Sequence, residues 1–141
     1  DYLKILIETK SPVKICRDRK EALLIPESPD YSFFKFKSIE KYGHEWQGGL
    51  RHGPSVCTAI HLAMVCHVKE IFVAGVDYAS NKYFWGGEQW GSTSGEYKRD
   101  DFRAASQYYK MIHDCCDLSV IKMCSPVCRI PYFEITDELN L

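Results

Sequence analysis

Between Gly53 and Asp77 the hydrophobic period changes once, and that change points to a fold class. Val56, Ala59, Ile60, Ala63, Met64 and His67 recur at the three-and-four spacing of an amphipathic helix, with Gly53 and Pro54 before it and Ser55 as its expected N-cap. Residues 71 to 76 then form an unbroken apolar run, IFVAGV, too short for a helix and rich in the β-branched residues of a strand buried on both faces. A helix feeding such a strand is half of a parallel βαβ unit, and in open α/β sheets ligands gather beyond the carboxyl ends of the strands. Gly75 and Asp77 stand at that rim, where chemistry is expected; an aspartate there also serves simply to cap the following turn.

The remaining segments fit around this unit. Residues 2 to 8 alternate as a strand does, residues 14 to 19 are too charged to assign, and residues 21 to 25 suit either a strand or one helical turn. After the turn signal Ser28-Pro29-Asp30, residues 31 to 36 read as an aromatic strand. Residues 38 to 54 form a long loop of Gly, His, Trp and charge that leads into the helix start, where Arg51, His52 and open backbone amides would make an anion pocket. Beyond Asp77, Tyr78, Tyr83, Phe84, Trp85 and Trp90 interleave with glycines, as in a lid over a ligand or in a surface loop pinned by its own rings. Residues 99 to 116 have helical spacing through Phe102, Ala105, Tyr109 and Ile112; residues 118 to 123 are a second buried-type strand, and the end is irregular. The expected architecture is one domain over residues 1 to 141, Rossmann-like, with three α/β/α layers about a mainly parallel sheet.

Charge and cysteine usage narrow the partners. A formal charge of -1 without a basic run argues against electrostatic binding to nucleic acid or an anionic membrane, and no apolar stretch is long enough to span a bilayer. Seven cysteines, an odd number lying partly on apolar faces, read as reduced thiols of a cytoplasmic protein. A zinc site built from Cys115, Cys116, Cys124, Cys128 and His113 is the sharper alternative, but no CxxC pair is present, and no metal is expected. The chain opens on Asp1 without methionine, as a fragment or processed chain would.

Lys69-Glu70-Ile71-Phe72-Val73-Ala74-Gly75-Val76-Asp77-Tyr78, with Asp101-Phe102-Arg103-Ala104 and Cys124-Ser125-Pro126 downstream, resembles the bacterial lipooligosaccharide sialyltransferases and the related motility-associated glycosyltransferase-like proteins over residues 51 to 133. The resemblance implies transfer of a sugar, often sialic acid from its cytidine nucleotide, to a glycan hydroxyl, with no cofactor beyond the nucleotide-sugar donor. It implies donor contacts at Arg51, His52, Pro54 and Ser55, with Gly75 and Tyr78 on the same rim as Asp77. Tyr83 takes the place of a tyrosine that bonds the leaving phosphate, while Ala79 stands where a second would fall. Glu96 sits where the family has its histidine base; a carboxylate there serves only if burial raises its pKa, and a solvent-exposed glutamate is the plainer reading. Glu8-Thr9-Lys10-Ser11-Pro12 lacks the family's glycine-rich loop, so the resemblance implies either a nucleotide-binding front that has been cut away or a shortened relative that has lost donor binding.

Three functions therefore compete. The first is a glycosyltransferase-like domain acting on a nucleotide-sugar and a glycan acceptor. The second is a pyrophosphokinase-like enzyme in which Asp77 helps hold Mg²⁺. The third is a non-catalytic binding or assembly module, with a homo-oligomer formed through the aromatic segment as its mark.

Overall fold

The computed structural model describes residues 13–17, 29–76, 99–125 and 128–136, together with the isolated positions 8 and 11. These residues build an α/β chain whose strand pairings are all parallel. Strands β1 (Val13–Arg17), β2 (Ser32–Ile39) and β3 (Gly49–Arg51) form one three-stranded sheet in that order. Helix α1 (Ser55–Val65) follows, then β4 (Glu70–Val73), helix α2 (Arg99–His113), β5 (Val120–Met123) and β6 (Glu134–Ile135). The last three strands make a second parallel sheet in the order β4, β5, β6.

Both helices pack on one face of the second sheet. Cys57, Ile60 and Met64 of α1 and Tyr109 and Ile112 of α2 share a buried cluster with Val73, Ile121 and Met123. Those strand residues have the same parity, so they line one side of the pleat. The other side carries Phe72 and Val120, 43 % and 51 % exposed, which corrects the expectation of strands buried on both faces. Each fully buried Met or Ile in the cluster contributes about 2 kcal/mol of transfer free energy. The described residues thus pack as two layers, helices on sheet, and the third layer of the expected architecture is not among them.

Several assignments change for local reasons. The unassigned basic stretch is β1, because Lys14 lays its chain over the Tyr31 ring, with Nζ 4.0 Å from the centroid, and is buried as a strand residue would be. The loop of residues 38 to 54 contains the end of β2 and all of β3: Gly48, at φ 79, turns the chain, and Gly49 then lies against the Lys37 backbone. The tail contains β6, and Ile130 is buried while Tyr132 and Phe133 pack partly buried against the core. Of residues 2 to 8 only Glu8 is described, and its backbone is helical, not extended.

Helix α1 differs from its expected form at both ends and in its face. Pro54 occupies the N-cap position with φ −50 and ψ 139, no side chain caps the helix, and Ser55 is exposed in the first turn, so the capping role expected of Ser55 is not met. The buried positions are Cys57, Ile60, His61 and Met64, a stripe that excludes the exposed Ala59. His67 is no part of that face. It ends the helix in the left-handed region at φ 54, where its N–H bonds the Met64 carbonyl at 2.9 Å and the Val68 N–H bonds the Ala63 carbonyl at 3.1 Å. This paired motif usually employs glycine, since any Cβ is strained there. His67→Gly is therefore expected to raise stability by about 0.5–1 kcal/mol in urea denaturation.

Helix α2 ends at His113, three residues before the expected end, and buries Ala105, Tyr109 and Ile112 as its spacing predicts. Ser119 Oγ donates to the Val68 carbonyl at 2.7 Å, and the Val120 N–H to the Lys69 carbonyl at 2.8 Å, which locks the start of β5 to that of β4.

Candidate functional site

Strand β3 carries its last residue, Arg51, to the opening of α1, and α1's own side chains take hold of it. The Arg51 N–H donates to His61 Nδ1 at 2.8 Å, and Thr58 Oγ1 donates to the Arg51 carbonyl at 3.2 Å. Its guanidinium reaches the Ile39 carbonyl through Nη1 at 3.5 Å and stands 5.5 Å from the centre of the Tyr108 ring on α2. Arg51 Nε is buried without a hydrogen-bond partner. A Cβ on Gly53 would lie 2.7 Å from Tyr108 Cδ1, so glycine there lets the ring close on the chain just before the helix.

The electrostatics of this corner favour an anion. The first bond within α1 runs from the Thr58 N–H to the Pro54 carbonyl at 3.1 Å, so helix geometry aims the preceding amides outward along the axis. No acidic residue occupies the first turn. The positive end of the helix dipole thus has no carboxylate on α1 to neutralise it, and Arg51 is tied through its backbone to the same helix.

Beneath the corner the packing is dry. Cys57 is fully buried and burial pushes its thiol up to about 12, against the opposing pull of the Tyr109 and Tyr42 hydroxyls, so it is no nucleophile at neutral pH. Burial likewise raises Tyr42, with Cys57 adding to the effect. The Tyr42 ring meets His61 edge-on at 5.0 Å.

His61 itself is 1 % exposed, and burial holds its imidazole below the ordinary histidine range, with the Gly43 backbone pulling the other way and His44 adding to the depression. The Arg51 N–H fixes Nδ1 as an acceptor, so the ring is neutral with its proton on Nε2. A folded-state pKa below the unfolded one makes the unfolded chain bind more protons between the two values. Stability from this group is thus complete above about pH 6.5 and falls as pH drops from there toward the folded value. Urea denaturation from pH 7.5 to 5 is expected to show this loss, and His61→Asn is expected to flatten it, with His44 and Tyr42 the other titratable groups beside the ring.

Of the residues singled out from sequence, Arg51 and Pro54 are brought together with Ser55 at the start of α1, and His52 lies half-buried beside them. Gly75 follows β4 in an exposed left-handed turn, φ 73, with open space where a Cβ would be. Asp77, Tyr78, Tyr83 and Glu96 lie outside the described residues. Thr58, His61 and Tyr108 were not among the expected site residues. The signal for the first two was a polar pair three apart on α1, with His61 falling among apolar neighbours.

Among the described residues no group of three His, Cys, Asp or Glu side chains could hold a metal ion, Cys57, Cys66, Cys115, Cys116, Cys124 and Cys128 are free thiols, and no helix is long and apolar enough to cross a membrane. Comparison with protein-family models, with curated proteins and with solved structures returns no match.

Proposed function

We propose that this chain is a glycosyltransferase-like domain that seats the phosphate of a nucleotide-sugar donor at the opening of α1. The observation that carries the reading is Arg51, held at its backbone by α1 and stacked on Tyr108, beside a helix start with no acidic residue in its first turn. Sugar transfer breaks the bond between the anomeric carbon and a phosphate oxygen and forms one to the acceptor oxygen, whose proton goes to a base. Charge therefore grows on the departing phosphate, and a guanidinium with helix amides is suited to stabilise it. In this reading Glu96 takes the acceptor proton, Asp77 and Tyr83 complete the rim, and a sialic acid on a cytidine nucleotide is the donor.

The reading carries with it a Rossmann-like arrangement of the whole chain, which would join the two described sheets into one. Connections between parallel strands are almost always right-handed, and α1 and α2 lie on one face. Strands β3, β4 and β5 would then follow one another in order, and the carboxyl ends of β3 and β4 would meet at the start of α1. A second reading, an assembly module without turnover, draws on Val13, Ile15 and Phe34, which are exposed on a common face of β1 and β2.

Calorimetric titration of the chain with cytidine monophosphate, its sialic acid conjugate, uridine diphosphate sugars and Mg²⁺–ATP tests the proposal. Cytidine or uridine nucleotides are expected to bind, and Arg51→Met to weaken them about tenfold or more, the scale of a lost charge-assisted hydrogen bond. Binding of Mg²⁺–ATP alone would favour the pyrophosphokinase reading. Absence of all binding with a dimer in sedimentation would favour the assembly module.

A further inference from the structure

Among the described residues β3 is the last strand of its sheet, and none of them pairs as a strand with the outer side of Arg51. Both of its backbone polar groups turn instead to α1, where side chains three residues apart receive them: Nδ1 of His61 accepts the N–H and Oγ1 of Thr58 donates to the carbonyl. Helical residues at i and i+3 face the same way, so the two contacts form one clamp on one peptide segment. An exposed edge residue would otherwise satisfy these groups with water and leave its side chain free to swing. His61 is also wedged against Tyr42, which fixes its ring plane.

We propose that His61 and Thr58 are positioning residues that hold the Arg51 backbone so that its guanidinium faces a phosphate-bearing ligand at the start of α1. The inference rests on reading Arg51 as a phosphate contact. His61 touches no ligand in this scheme; it acts through Arg51 alone. The geometry has a chemical requirement, because the clamp works only with Nδ1 unprotonated, and a second donor at that nitrogen would oppose the Arg51 N–H. Asparagine keeps a side-chain oxygen near the place of Nδ1, whereas leucine keeps bulk and loses the acceptor.

The full chain, labelled with ¹⁵N, is titrated with inorganic phosphate and with cytidine monophosphate. In His61→Leu the Arg51 amide is expected to exchange with solvent about tenfold faster and both probes to bind about tenfold more weakly, with a smaller loss of affinity, about threefold, in Thr58→Val. His61→Asn is expected to regain most of both, and the wild-type His61 nitrogen shifts to report a bare Nδ1 and a protonated Nε2. Unchanged Arg51 exchange and unchanged affinity in folded His61→Leu overturn the clamp; if that variant does not fold, unchanged affinity in Thr58→Val does so. Faster Arg51 exchange in a chain whose wild type binds neither probe leaves a backbone clamp but overturns its role in ligand binding, and with it the reading of Arg51.

Discussion

Gly49→Ala is expected to destabilise the chain by about 3 kcal/mol or more, as a change that forces backbone apart without room to relax. Gly49 opens β3 and pairs with Lys37 of β2. A Cβ built on it would run into the Lys37 carbonyl oxygen, with the carbonyl carbon at 2.9 Å and Ile39 Cγ2 at 3.0 Å. The first two of those atoms are main chain and cannot swing aside, so the strands must separate. Separation moves Arg51 two residues on, so the same change is expected to weaken nucleotide binding as well. Gly48 beside it is a different case: its φ of 79 demands glycine, but the space around it is open, so Gly48→Ala meets only the conformational penalty of about 1 kcal/mol. Urea midpoints of the two variants separate a steric cause from a conformational one.

Met64→Ala is expected to cost about 3 kcal/mol, within the range for large-to-small changes at fully buried sites. Met64 is wholly inaccessible and belongs to the cluster that joins both helices to β4 and β5. Its carbonyl also receives the His67 N–H, and His44 Nδ1 lies 3.3 Å from it. Those backbone contacts tie down the end of α1, which limits how far the helix can shift to fill the void, so most of the cavity remains. Total stabilities of domains this size are about 5–15 kcal/mol, and the loss will be visible in both thermal and urea denaturation. A cost under about 1 kcal/mol would mean that the packing of α1 on the β4–β5 sheet is looser than described.

The sequence made the α1–β4 and α2–β5 units legible because each depends on a period that local side chains impose. Tyr109 and Ile112 are buried where the helical spacing puts them, and the parallel pairing of β4 with β5 follows from the helix between them. The elements that sequence reading missed depend on tertiary partners. Strand β1 is legible only once Tyr31 is known to cover Lys14, and β3 is three residues whose pairing depends on glycines making room for another strand's backbone. The face of α1 was read from its apolar residues alone, which left out His61, a polar side chain buried because it has a backbone donor to accept. Arg51 was found from its place before a helix start; the residues that hold it come from α1 and α2 and share no motif with it.

The most direct measurement of the central claim is chemical-shift mapping of the ¹⁵N-labelled chain with cytidine monophosphate. A phosphate seated at the start of α1 will shift the amides of Arg51, Ser55, Val56 and Cys57 together with saturable dependence on ligand. Saturable shifts confined to other parts of the chain, or no shifts at millimolar ligand, would contradict it.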